Sequence, residues 1–149
     1  MRRAKPARPA DRAARILLRA SAIWLVGLGA YFALFRPPLL PEDVRFIGLS
    51  AAHTTLSSLQ LGQWLRLVFI VLGGFIAASG FLTAYVALSL EQGASLAREA
   101  LLAAAGSTGV GLMAVVNFVI GSDFRWLLMG PSLLWAAALA CRWRSRSPL

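Results

Sequence analysis

The chain has 149 residues, of which 58% are hydrophobic and only 14% are charged. An average soluble domain is about 45–50% apolar and about 25% charged, so the composition indicates a protein dissolved in lipid. The formal net charge is +9, with 15 Lys and Arg residues against 6 acidic ones. A single cysteine and a single histidine exclude an internal disulfide and a histidine cluster for a metal ion. We therefore predict no metal site and no cofactor.

Residues 1–12 are rich in arginine and proline, and we predict a disordered basic cytoplasmic tail there. The apolar stretch that follows could belong to a secretory signal, since signals also have a basic region before an apolar core. Bulky residues, Phe35 and Arg36, lie at the end of this stretch, where a signal peptidase needs small ones. The sequence therefore favours a retained first helix over a cleaved signal.

Four apolar stretches determine the predicted fold. A membrane-crossing helix needs about 20 apolar residues. The second and third stretches reach that length without a charge. The first and last contain uncharged runs of only 16 residues, Ala20 to Phe35 and Trp126 to Cys141. The arginines that flank these runs can extend their guanidinium groups to the lipid headgroups; they are Arg19, Arg36, Arg125 and Arg142. The stretches are Ile16 to Phe35, Leu67 to Leu90, Ala100 to Ser122 and Trp126 to Cys141. We predict an all-α integral membrane protein, an antiparallel four-helix transmembrane bundle spanning 13–143, with helices at 13–35, 57–90, 99–121 and 124–143.

The longest connection, 36–56, is predicted to lie on the outer side and to be partly ordered. Pro41, Glu42 and Asp43 have the pattern of the first turn of a helix, with proline at a tolerated position and carboxylates at the positive end of the dipole. Gly48 is expected to end this short helix.

The third and fourth helices are joined by a tight turn at Gly121, Ser122 and Asp123, in which Asp123 is the expected helix cap. Small residues recur four apart in the second and third helices, and such pairs let membrane helices approach closely. The pairs are Gly73 with Ala77, Gly74 with Ala78, Ala105 with Gly109 and Ser107 with Gly111. They favour a packed bundle over independent anchors.

Basic residues are concentrated before the first helix and after the last, where 144–149 form a second basic tail. By the positive-inside rule both termini are cytoplasmic, which agrees with an even number of crossings. Anionic lipid headgroups attract such tails with about 1 kcal/mol per charge. The tails lack the interleaved aromatic residues and reading motifs of a nucleic-acid binder. We predict that the partner of these tails is the lipid bilayer, and that nucleic acid is not a partner.

The candidate site is a polar cluster on the outer face. Asn117 is a strongly polar side chain inside an uncharged crossing, and it could bind a ligand or form a hydrogen bond between helices worth about 0.6 kcal/mol. The outer charges could meet at the mouth of the bundle, or could anchor separately in ion pairs worth about 0 to 1 kcal/mol. The cluster is Glu42, Asp43, Arg45, Arg66, Asn117, Asp123 and Arg125.

The sequence lacks the residues that several classes of function require. No Asp, Glu, Lys or His lies inside a predicted crossing, so an ion-coupled carrier or proton relay lacks its ionisable group. An intramembrane serine protease lacks a histidine beside its serine, because His53 falls in the outer loop. We predict no catalytic residues, and these absences favour a protein that is not an enzyme.

Three segments resemble small bacterial four-helix membrane proteins that are grouped as domains of unknown function. They are Pro41, Glu42, Asp43 and Phe46 to Ser50 in the outer loop, Gly73 and Gly74 in the second helix, and Asn117 with Ser122 to Trp126. The resemblance covers most of the chain after the basic tail, and it implies no activity because such families have none assigned. Abundant Ala, Leu and Arg with one Lys are typical of a GC-rich bacterial genome, which predicts the inner (cytoplasmic) membrane.

Two hypotheses for function remain. The leading one is a non-enzymatic membrane component that packs with itself as a homo-oligomer or with another membrane protein, because small-residue faces are present. The alternative is a small-molecule or lipid-binding membrane protein, or an enzyme accessory subunit, with a polar pocket on the outer face. That pocket is expected to be built from Asp43, Arg45, Asn117, Asp123 and Arg125.

Overall fold

The computed structural model describes residues 9–48, 56–89 and 95–146. Within these ranges the regular structure is helical throughout, which confirms the predicted all-α class. The helices are α1 Pro9–Leu34, α2 Pro41–Ile47, α3 Leu56–Ser89, α4 Leu96–Gly106, a π-helical segment Ser107–Gly111, α5 Leu112–Val119 and α6 Arg125–Arg146. The π segment joins α4 and α5 without interruption, and we call the continuous helix Leu96–Val119 the rod. Predictions for 1–8, for His53 and for 147–149 lie outside the described residues.

The ends of the structure are more helical than predicted. α1 begins at Pro9 instead of residue 13, because Pro9 suits a first turn and Asp11 faces the positive end of the helix dipole there. Residues 9–12 are therefore not part of a disordered tail. At the other end α6 continues to Arg146, which places 144–146 in a helix as well.

Three of the described helices are long and apolar enough to cross a membrane, namely Pro9–Leu34, Leu59–Ser89 and Leu96–Val119. They support a membrane protein. The predicted fourth crossing corresponds to α6, which is 22 residues long but contains four arginines and is not among the three. A bundle with four crossings therefore stays a prediction.

The long helices are arranged around α1. α1 packs against α3 on one side and against α6 on the other, and the rod packs against α6. Going round the molecule, the order is α3, α1, α6 and the rod. The two ends of this arc, α3 and the rod, line opposite walls of a cavity that is described below.

Glycines bring α1 and α3 into backbone contact. A Cβ on Gly29 would lie 2.6 Å from the backbone nitrogen of Ala77, and a Cβ on Gly73 would lie 2.6 Å from the carbonyl oxygen of Gly29. The predicted pair of Gly73 and Ala77 is thus confirmed as a packing face. Gly74 and Gly109 face open space, with no atom within 4 Å of a built Cβ, so the pairs that contain them are wrong as packing faces between the described helices.

Two hydrogen bonds attach α6 to the rod, one before the π segment and one within it. The buried indole of Trp135 donates to the Leu102 carbonyl oxygen at 3.0 Å. The Ser132 hydroxyl donates to the Val110 carbonyl oxygen at 2.6 Å. Gly106 leaves room for this contact, since a Cβ there would overlap the Trp135 ring. Bonds of this kind hold membrane helices together where apolar burial gains nothing over lipid.

A buried ion-pair cluster closes the end of the molecule opposite α2. Arg142 on α6 is only 4% exposed. Its Nε donates to Glu99 Oε1 at 2.7 Å, its Nη2 contacts the same oxygen, and its Nη1 lies 3.9 Å from Asp11 Oδ1. The sequence-based interpretation of Arg142 as a headgroup anchor is therefore wrong, because the guanidinium joins α1, α4 and α6 instead.

Ser21 on α1 is a fully buried residue whose hydroxyl has no hydrogen-bond partner among the described residues. An unpaired buried hydroxyl costs about 1–3 kcal/mol, so we expect Ser21→Ala to raise the free energy of unfolding by about 1 kcal/mol. SDS titration in mixed micelles measures this change. Ser79→Ala is the control, because Ser79 is exposed and bonds its own helix at the Phe75 carbonyl. A loss of stability in Ser21→Ala would contradict the prediction.

Candidate functional site

The short helix α2 lies at the end of the molecule that the predicted topology places on the outer side. Pro41 is its first residue, and Gly48 ends it in the left-handed conformation with φ +70°, as the sequence predicted. The Asp43 carboxylate accepts hydrogen bonds from the Leu40 N–H and from the Arg36 guanidinium, each at 2.9 Å. Asp43 therefore fixes both the start of α2 and its position against the end of α1.

Arg36 is the residue of this region that the sequence-based reasoning missed. Its side chain is only 8% exposed, and its guanidinium lies 3.7 Å from the centre of the Phe69 ring and 5.3 Å from that of Phe32. Cation–π contacts of this kind compensate for desolvation of the guanidinium. The sequence around Arg36 shows only an arginine directly after an aromatic run and before two prolines. Phe69 is too far away in the sequence for a contact with Arg36 to be predicted.

The turn between α5 and α6 is bound to α2. Gly121 adopts φ +66°, which allows the sharp reversal. The Ser122 hydroxyl accepts the Phe124 N–H at 3.2 Å and lies 3.4 Å from Glu42 Oε1, to which it donates. The Ser122 hydroxyl thus bonds the turn itself, and the predicted cap from Asp123 to a helix N–H is not among the described hydrogen bonds. Asp123 instead pairs with Arg45 of α2, and both of its oxygens lie 3.0 Å from Arg45 Nη2.

An outer cavity of about 640 Å³ lies beneath α2, between α1, the end of α5 and the start of α6. Its size falls within the roughly 300–1,000 Å³ of small-molecule sites. Three predicted site residues, Glu42, Asp43 and Asn117, line it together with Arg36. The rest of its lining is largely apolar or aromatic and includes Trp24, Leu28, Tyr31, Phe32, Phe124, Leu127 and Leu128.

The remaining predicted site residues lie elsewhere. Arg45 and Asp123 form their ion pair on the surface, with side chains 62% and 58% exposed. Arg66 is exposed on α3, and Arg125 opens α6; neither lines the outer cavity. The expected pocket thus forms from a smaller part of the cluster, because α2 turns Glu42 and Asp43 inward and Arg45 outward.

A second, lateral cavity of about 940 Å³ separates α3 from the rod. Apolar residues of these two helices form its walls, and Leu25 of α1 and Trp135 of α6 contribute to its lining. Phe32 and Asn117 line both cavities. The two spaces therefore adjoin at these side chains.

Asn117 bonds within its own helix. Its Nδ2 donates to the Met113 carbonyl oxygen at 2.9 Å, so the described structure gives no helix-to-helix bond from this amide nitrogen. The side chain is partly exposed, and it borders both cavities. The observed bond is neither of the two predicted for Asn117, which were a ligand contact and a helix-to-helix hydrogen bond.

Comparison with known proteins assigns the chain to no family. No family model, no curated protein and no solved structure matches this chain. The resemblance to small bacterial membrane proteins stays a prediction. The function must therefore be argued from the site itself.

The outer cavity combines a few polar groups with a largely apolar lining. Among the described residues, no group of three His, Cys, Asp or Glu side chains could hold a metal ion. The cavity instead offers carboxylates, an amide and aromatic rings around an apolar interior. Such an arrangement can hold a molecule with a polar head and an apolar body.

Proposed function

We propose that this chain is a membrane protein that binds an amphipathic small molecule or lipid in the outer cavity. One observation carries the proposal: Glu42, Asp43 and Asn117, which come from α2 and α5, line a single cavity of about 640 Å³ whose other walls are largely apolar. A few convergent polar groups in an apolar pocket are the usual composition of a ligand site.

The polarity of the cavity changes with depth. Trp24 lies ten residues before Leu34 on α1, so it is about 15 Å from the outer end of that helix. Leu28 lies between them, whereas Glu42 and Asp43 belong to α2 above the end of α1. A ligand with its polar head under α2 and its apolar part toward Trp24 matches this gradient.

Four crossings with cytoplasmic termini remain our proposed topology, in the bacterial inner membrane. The position of α6 supports it, since Ser132, Trp135 and Arg142 contact the rod in succession along its length. If the rod crosses the bilayer, α6 lies beside it over the same depth. Arg125 lies at the start of α6, where arginine is tolerated, and the charge of Arg142 is paired with Glu99.

Packing with itself or with another membrane protein is the second candidate function. Gly74 and Gly109 favour it, because their faces are open and another helix could approach them closely. Gly29, Gly73 and Gly106, in contrast, already contact other helices of the same chain. Crosslinking in native membranes followed by mass spectrometry tests this candidate, and recovery of monomer alone would count against it.

Filling the outer cavity will prevent ligand binding. Leu127 and Leu133 both lie on α6 and are 55% and 58% exposed, but only Leu127 lines the outer cavity. We expect Leu127→Trp to weaken binding of monomyristoylglycerol at least tenfold, because the indole occupies the space of the ligand. Native mass spectrometry of the full chain in a neutral detergent measures the bound fraction.

Leu133→Trp is the matched control, and it is expected to bind the lipid as the unmodified chain does. Equal binding by both variants would contradict the location of the site. Failure of the unmodified chain to bind monomyristoylglycerol would contradict the proposed function.

A further inference from the structure

Among the described residues that line the outer cavity, the negative side chains outnumber the positive ones by one. Its charged lining residues are Arg36, Glu42 and Asp43. Arg36 and Asp43 neutralise each other, with a distance of 2.9 Å between Nη2 and Oδ2. Among the described residues, Glu42 has Ser122 as its hydrogen-bond donor and forms no ion pair. Its charge is therefore the one that the described lining leaves unbalanced.

Glu42 is only 4% exposed, so its carboxylate has lost most of its contact with water. A buried carboxylate is strongly unfavourable unless a cation or good hydrogen bonds compensate for the lost hydration. The bond from Ser122 is 3.4 Å long, beyond the 2.5–3.0 Å that hydroxyl donors normally reach. The cavity therefore presents an acceptor whose best complement is a positive charge.

The aromatic rings that line the outer cavity are also suited to a positively charged group. Trp24, Tyr31, Phe32 and Phe124 all line the outer cavity. Aromatic faces attract organic cations, and quaternary ammonium ligands are commonly bound in cages of aromatic rings. An anionic head would find Arg36 as its only cation in the described lining, and Asp43 already occupies that guanidinium.

We propose that the outer cavity binds the ammonium group of an organic cation, with Glu42 as its counter-ion and the aromatic rings around it. This inference rests on the proposed function and names the chemical class of its ligand. A lipid with an amine headgroup and a free alkylamine share this chemistry.

Three probes with similar tails and different heads test the inference on the full chain in a neutral detergent. They are tetradecyltrimethylammonium, monomyristoylglycerol and tetradecyl sulfate. We expect the ammonium probe to bind at least tenfold more tightly than the neutral one, and the sulfate to bind most weakly. The net charge of +9 attracts the sulfate in general, so a preference for the cation must come from the site.

Glu42→Gln is the decisive variant, because it removes the charge and keeps the shape of the side chain. We expect it to lose at least tenfold in affinity for tetradecyltrimethylammonium, and to lose its preference for that probe over monomyristoylglycerol. Asp123→Asn is the matched control, since Asp123 is an exposed carboxylate that does not line the cavity. It is expected to change neither affinity.

Competition with tetramethylammonium distinguishes the two possible ligands, a lipid with an amine headgroup and a free amine. Displacement of the tailed probe by this ion supports a soluble amine as the ligand, whereas displacement only by tailed ammonium compounds supports a lipid.

Equal binding of the ammonium and neutral probes by the unmodified chain would overturn the inference and leave the proposed function intact. An undiminished preference for ammonium in Glu42→Gln would also overturn it. Absence of binding by all three probes would overturn both. The probe series on the unmodified chain needs no variant, so the inference stays testable even if Glu42→Gln does not fold.

Discussion

Gly73→Ala will destabilise the protein, with an expected loss of about 2 kcal/mol within the 1–3 kcal/mol typical of overpacking. The added Cβ would lie 2.6 Å from the Gly29 carbonyl oxygen and 2.7 Å from the Ala33 nitrogen. These are backbone atoms, so the contact can be relieved only if α1 and α3 move apart. Because α1 also packs against α6, such a shift disturbs the centre of the fold. SDS titration in mixed micelles measures the free energy of unfolding.

Gly74→Ala is the matched control from the neighbouring position. A Cβ at Gly74 meets no atom within 4 Å. Alanine is favoured over glycine inside a helix by roughly 0.5–1 kcal/mol, so this variant is expected to be slightly more stable than the unmodified chain. Changes of the same sign and size at the two positions would contradict the described orientation of α3.

Glu99→Gln is expected to lower the free energy of unfolding by about 3 kcal/mol, at the lower end of the range for breaking a buried ion pair. Arg142 is 4% exposed and Glu99 is the carboxylate closest to its guanidinium. The glutamine keeps the size of the side chain and one acceptor oxygen, but it no longer balances the buried charge. Asp11, at 3.9 Å, is too far from Arg142 to replace a direct hydrogen bond.

Asp123→Asn is the control for this prediction too, because it breaks an ion pair whose side chains are 62% and 58% exposed. Solvent screening limits such a pair to about 0–1 kcal/mol. The same SDS titration compares the two variants. A loss in Glu99→Gln no larger than that in Asp123→Asn would show that Arg142 is not the buried link between α1, α4 and α6.

The outer cavity connects the proposed function with its chemical specificity. α2 is held from both sides, by the Arg36 and Asp43 pair at the end of α1 and by Ser122 at the turn before α6. The cavity below it is thus a product of contacts among distant segments. Binding of an amphipathic ligand depends on the shape of this cavity, whereas preference for a cation depends on Glu42.

Part of the candidate site was predictable from local patterns. Glu42 and Asp43 were expected at the start of a short outer helix, and Asn117 was identified as a polar group in an apolar crossing. Arg36 was not assigned to the site, because its partners Phe69 and Asp43 come from other elements. For Arg66 and Arg125, the sequence indicates only that they lie on the same side of the predicted bundle as the site.

The sequence by itself determined the helices, because the length of an apolar stretch and its flanking prolines, glycines and charges act within a few residues. It also indicated α2, through Pro41 and Gly48. Only the tertiary structure decided that Gly73 faces α1 while Gly74 does not, and that Arg142 meets Glu99 rather than lipid. The physical reason is that the rotation and order of the helices depend on contacts between segments far apart in the chain. The outer and lateral cavities are spaces that those contacts leave open.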